Sequence, residues 1–352
     1  MSTTRSKGGC GAFQNASELG ISVQLRISPL TVTKFWLLDA IDYGDKKMAK
    51  LPDHPMDQFP VRPLRFDVAG LTQDSIIWSR TCPEFAVFVN ALGVHVPYFE
   101  RYLIAAMRKA RPEVQGAELV QDISRIIGQE ANHAVNFACF NELLAQRYPK
   151  VVQFDNDAKS YFAEHAQTDS LKKLVGFTAG YETFTFLAGL IILDNHSEWF
   201  ADSDPVMKAM WVWHQVEEVE HGSVAFNVYK NLYGKYEAYR KWMVLRALTH
   251  IALETIKTYV HMVRIEGWLR NPFKAISCLY FCASMLTRLL VNALPVFRKN
   301  YHPRRHPRVT TRQNKIQIAW RRYDAGGGDV LSIDYEKMAV IMNVKMPATT
   351  MP

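Results

Sequence analysis

The chain has 352 residues, 48% hydrophobic and 12% aromatic, which is enough apolar mass for a sizeable buried core and excludes an intrinsically disordered protein. Five cysteines without CxxC spacing exclude a disulfide framework and a thiolate zinc site, and point to a reducing, cytoplasmic setting. Much of the formal net charge of +8 comes from residues between Arg298 and Arg322; no nucleic-acid recognition motif accompanies it, so it reads as a solvated face, with anionic lipid or an acidic partner as the sharper alternative.

Residues 1–57 read as an irregular leader, with a short strand or helix at Thr33 to Ile41 and no apolar stretch of the kind a secretory signal needs. Pro60 to Gly70, PVRPLRFDVAG, has extended character. Phe85 to Arg108 predicts a long helix interrupted near Gly93 and Pro97, and Glu118 to Gln146 predicts a second with one apolar face. Ser170 to Leu193 is apolar nearly all round, which marks a central helix; it is long enough to span a bilayer, but Glu182 in its middle favours burial in a bundle. Pro205 to Tyr233 follows the cap signal Asp202-Ser203-Asp204-Pro205 and stops before Gly234. Tyr239 to Ile265 and Phe273 to Phe297 are two further helices, suited to a side wall, a dimer surface or a membrane-facing patch, although the uncharged stretch Ala275 to Thr287 is too short to span. From residue 309 onward the chain reads as a basic, partly flexible tail in which Gly326 to Gly328 form a link. Nothing alternates strand with helix, so the expectation is an all-α fold with one helical domain over residues 58–308.

Two Glu-x-x-His pairs carry the chemistry: Glu130/His133 and Glu218/His221. Residues three apart on a helix project from the same face, so each pair can reach one metal ion. The helix before each pair carries a glutamate, Glu100 in PYFERYL and Glu182 in GYETFTF. Four carboxylates and two imidazoles on four helices form the ligand set of a two-metal carboxylate bundle. Four glutamates neutralise two divalent ions, and the mixed oxygen and nitrogen donors fit iron first, then manganese, with zinc as a further alternative.

Glu182, an ionised group among about twenty uncharged neighbours, needs a cation; Glu100 has Arg101 beside it and could instead pair on the surface. Glu217 is placed to orient His133, and Gln129 to orient His221; an exposed helix position is the alternative for each. His214, one turn before Glu218, is a third nitrogen ligand, a catalytic neighbour or, more commonly for such a residue, a packed histidine. Tyr181, Phe184, Phe186 and Trp213 are walls of a site or plain core.

The strings VRPLRFDV, ALGVHVPYFERYL, IIGQEANHAVNF, YETFT, WHQVEEVEHGSVAFNVY and FRKNYHP resemble a bacterial group of ferritin-like proteins named predicted metal-dependent hydrolases, over about Val61 to Arg308. The resemblance implies a ferritin-like four-helix bundle with added C-terminal helices, and metal positions at Glu100, Glu130, His133, Glu182, Glu218 and His221. Family members often carry another histidine one turn after the first metal histidine, where this chain has Phe137. The ligand set is also similar to that of the ribonucleotide reductase small subunit, bacterial multicomponent monooxygenases and acyl-carrier desaturases.

That likeness makes a di-iron oxidoreductase the leading expectation, activating dioxygen to hydroxylate, desaturate or N-oxygenate an apolar or carrier-bound substrate, with electrons from an external donor or reductase. Metal-assisted hydrolysis, with Glu217 as base, is the alternative. Iron binding or storage without catalysis is the third. A homodimer, a peripheral membrane contact and the absence of nucleic-acid partners complete the expectations.

Overall fold

The computed structural model describes residues 54–310 and 313–342. Thr33 to Ile41 and the rest of residues 1–53, with residues 343–352, lie outside the described residues. Among the described residues the chain is all-α, with one isolated bridge, Ser79 to Ser203, and no strand.

Thirteen helices are used below, in chain order: α1 (Pro83–Gly93), α2 (Val96–Ala110), α3 (Ala117–Arg147), α4 (Val151–Thr168), α5 (Leu171–Asp194), the single turn α6 (His196–Trp199), α7 (Pro205–His221), α8 (Val224–Tyr233), α9 (Glu237–Ile265), α10 (Pro272–Ala293), the single turn α11 (Pro307–Thr310), α12 (Lys315–Ala325) and α13 (Tyr335–Ile341). Their starts are written in the sequence. Ser170 accepts from the backbone N–H of Lys173 ahead of α5, and Asp204 accepts from those of Val206 and Met207 ahead of α7. Pro205 and Pro272 sit at the first helical turn, where their missing N–H costs nothing.

Helices α2, α3, α5 and α7 pack in a ring, α2 on α3 and α5, α7 on α3 and α5, and their inner faces build the site. Nearly all of α5 is buried, between α2, α7, α8 and α9. Its crossing with α9 is set by Gly180, where a Cβ would stand 2.6 Å from the Met243 carbonyl oxygen, so no side chain fits. The helix expected to run from Pro205 to Tyr233 bends after His221. A Cβ on Gly222 would stand 2.7 Å from the Phe186 ring, so the missing side chain lets α5 close against this bend. The helix α4 has only Val151, Ala158 and Phe162 buried, a pattern too sparse to announce itself in the sequence.

The segment after residue 309 differs from a solvated tail. Trp320 and Ile333 are fully buried, Arg321 forms an ion pair with Glu220 at 2.8 Å, and the backbone N–H of Ile333 donates to the carbonyl of Pro205. Gly326 to Gly328 make a tight turn: Gly327 has φ +78°, and the N–H of Gly326 and of Gly328 bond back to Arg322 and Tyr323. Arg321, one of the basic residues of this region, meets a buried acid and not solvent.

Among the described residues two helices are long and apolar enough to cross a membrane. One is α5, which lies inside the fold; the other runs from Pro272 to Phe297 and has most of its apolar surface outward.

Candidate metal centre

Each helix of the ring delivers its carboxylate or imidazole from a buried face. Glu100 on α2, Glu130 and His133 on α3, Glu182 on α5, and His214, Glu218 and His221 on α7 are all buried. The surface pairing open to Glu100 is not what the structure has: Arg101 points outward over Tyr98, and Glu100 faces the imidazoles.

The donor atoms converge in two groups, Glu100, His133 and His214 on one side and Glu130, Glu218 and His221 on the other, each within 4.8 Å of one another. Nδ1 of His133 lies 3.8 Å from Glu100, 3.4 Å from Glu130 and 3.6 Å from Glu218. Nε2 of His214 lies 3.0 Å from Glu218 and 3.7 Å from Glu100. Nε2 of His221 lies 3.0 Å from Glu130 and 3.3 Å from both Glu182 and Glu218. Glu130 and Glu218 each turn one oxygen toward His133 and the other toward His221, so they stand between the two groups. Glu182 joins the His221 side.

Do these residues fit metal ions? Nδ1 of His133, Nε2 of His214, both oxygens of Glu100, Oε1 of Glu130 and Oε2 of Glu182 are buried without a hydrogen-bond partner, although all but Oε2 of Glu100 have another donor atom of the set within 4 Å. Buried polar atoms are seldom left so. Lone pairs aimed at a shared point without hydrogen-bond geometry is how ligands surround a cation. The electrostatics agree. Burial pushes the Glu100 carboxyl up to about 7 and that of Glu182 up to about 8. Against burial, Glu130 and Glu218 are held low, chiefly by His221. His133, facing Glu130 and bonded to Glu217, and His221, facing the charges of Glu218 and Glu130, are both raised well above the ordinary imidazole value despite burial. The cluster thus gathers protons in place of positive charge, and divalent ions would supply that charge instead.

Behind the ligands a layer of polar groups fixes the rings. Nε2 of His133 donates to Glu217 at 2.9 Å, and Nδ1 of His221 donates to the Gln129 side-chain oxygen at 3.0 Å. Each hydrogen bond selects which ring nitrogen faces the cluster. The other oxygen of Glu217 accepts from Arg62 at 2.9 Å, and Arg62 also grips Glu220 through two nitrogens and Asp324 through its Nε. Gln129 donates to Glu220 as well. Sequence reading missed Arg62, Glu220, Arg321 and Asp324. The signal for Glu220 was present, since α7 carries three acids in four residues on a helix with no polar face.

Beside the centre lies a cavity of about 340 Å³, walled by α1, α5, α9 and α10 and reaching α7 at Trp211, His214 and Gln215. Tyr181 and Phe184 line it, whereas Phe186 packs in the core and Trp213 places its ring edge-on to His133 with centroids 4.7 Å apart. Phe137 packs against the rings of Trp211 and His214.

A family model described as "Predicted metal-dependent hydrolase" matches residues 60–307. No curated protein and no solved structure matches the chain.

Proposed function

For a chain that belongs to the family of predicted metal-dependent hydrolases, we propose a two-metal enzyme that works on an apolar substrate held in the cavity beside His214, with hydrolysis as the reaction class the family favours. The observation that carries this reading is the convergence of seven buried donors at the end of that cavity. Glu100, His133 and His214 would hold one ion, His221 and Glu182 the other, with Glu130 and Glu218 shared. Bound there, two divalent ions supply Lewis acidity to polarise a substrate carbonyl and a water molecule or, as iron, electrons to reduce dioxygen.

The chain's own groups do the rest. The apolar walls orient the hydrocarbon part of a substrate and exclude bulk water. His214, on the cavity wall with Nε2 toward the donors, marks where substrate and centre meet. Glu217 is a positioning residue: both of its oxygens are engaged, by His133 and Arg62, and it does not line the cavity, so it is not free to serve as a hydrolytic base.

That last observation favours a second reading, oxidation of the substrate by dioxygen. Of the titratable groups on the cavity wall, His214 is raised above the ordinary imidazole value by Glu218 and Glu100 against burial, and Tyr181, Tyr259 and Cys282 are pushed up by burial, so none of them is a carboxylate base. Hydroxylation would take one dioxygen, two electrons from an external donor and two protons, leaving one oxygen atom on the substrate and the other in water.

Metal analysis followed by two assays separates the readings. Zinc or manganese with turnover of long-chain esters or amides, and no dioxygen consumption, supports hydrolysis. Two irons per chain, with dioxygen uptake by the reduced protein, supports oxidation. Many irons per chain would point to storage. Glu182→Ala should lose metal under either catalytic reading, and full metal content in that variant would sink the site.

A further inference from the structure

The outward face of α10 has no partner within the described residues. Phe273 is 81% exposed, Ile276 64%, Leu279 71% and Tyr280 74%, and Leu286, Leu290, Val291 and Leu294 continue the stripe to the helix end. The inner face is anchored: Lys274 pairs with Glu84 at 2.6 Å, Ser277 donates to the same carboxylate, and Cys278 and Met285 are buried against the fold. An apolar helix fastened along its length to a folded body lies on a membrane surface and does not cross it.

Charge identifies the occupant. Between Gly267 and Asn300 there are five lysines and arginines and no carboxylate. Arg264 and Arg270 are exposed near the start of α10 and Arg298 and Lys299 beyond its end, with no ion pair recorded for any of them among the described residues. An apolar stripe with cations at both ends and no acid matches an anionic bilayer, whose surface attracts each basic residue that comes near it.

The cavity opens on the same face. Ile256 of α9 and Leu279 and Leu286 of α10 are exposed and also line the cavity, whose other end is His214. We propose that α10 seats on an anionic lipid bilayer and that the mouth between α9 and α10 admits a lipophilic substrate from the membrane to the metal centre. The loading step rests on the two-metal reading above; the docking step does not.

The test uses the full chain with its metal content measured, sedimented with vesicles of phosphatidylcholine alone and with about 30% phosphatidylglycerol. The protein should pellet with the anionic vesicles. The triple variant Phe273→Glu, Ile276→Glu, Leu279→Glu should lose that binding about tenfold or more while keeping the metal content and melting temperature of the wild type. Wild-type protein that stays in solution with both vesicles, or a triple variant that still binds, overturns the docking. So does light scattering that shows a wild-type dimer which the variant converts to monomer without any vesicle binding, since a second copy then covers the face. Because metal content is read in the same samples, docking and the two-metal reading fail separately.

Discussion

Glu217 turns its two oxygens to different neighbours, one to the ring of His133 and one to Arg62, and this division decides its role. It sets which nitrogen of His133 faces the cluster, and its bond to Arg62 holds the carboxylate in place to do so. Glu217→Gln preserves the shape but removes the charge that Arg62 answers, and the amide can also present its donor end to His133. We expect metal affinity to fall about 10–100-fold, with the fold unchanged by circular dichroism, and titration with a competing chelator measures it. Unchanged affinity would mean that the ring is held by packing alone. The Glu-x-x-His spacing named the side chains that converge because helical geometry is local: the same three-residue step that reads from the sequence also aims them. Arg62 was not legible in that way, since it enters from an extended segment far from α7 and nothing in its neighbourhood announces a buried acid.

Helix α10 shows the same limit at the scale of an element. Its boundaries could be read from Pro272 and from the apolar run, and so could its lack of charge, but which face is anchored depends on Glu84 of α1, nearly two hundred residues earlier. Glu84 is held below the ordinary carboxyl value, against burial, by its bonds to Lys274 and Ser277. A depressed folded value means that this contact stabilises the fold fully above the unfolded carboxyl value and is lost as pH falls through the lower, folded one. The stability difference between wild type and Glu84→Gln should therefore be full at neutral pH and close below about pH 4.5. Urea unfolding of both proteins at several pH values measures that gap, and a gap that stays constant to pH 3 would show that Glu84 contributes by shape alone. Helix α4, by contrast, went unread because three buried residues in eighteen leave almost no periodic signal.

Across the whole molecule, the stretch beyond residue 309 is joined to the centre of the fold. Glu220 is fully buried and is met by Arg62 from one end of the described chain and by Arg321 from the other. Removing one partner of a buried pair leaves charge without compensation, and because Arg62 remains in place the loss should lie near the lower end of the usual range, about 3 kcal/mol for Arg321→Ala. Thermal unfolding measures it, and a melting temperature equal to wild type would mean that the pair is dispensable. The sequence could show a cluster of positive charge here but not its destination, because the partner acid lies a hundred residues away and nothing local joins the two segments. The arrangement also sets an order of events during synthesis. All the candidate metal ligands have been made by His221, yet Arg321 and Asp324 follow about a hundred residues later, roughly 5–20 s at ordinary ribosomal speed. In that interval Glu220 has only Arg62 and Gln129 to answer its charge, so a nascent chain holds the candidate ligands in a looser frame until Arg321 has been made.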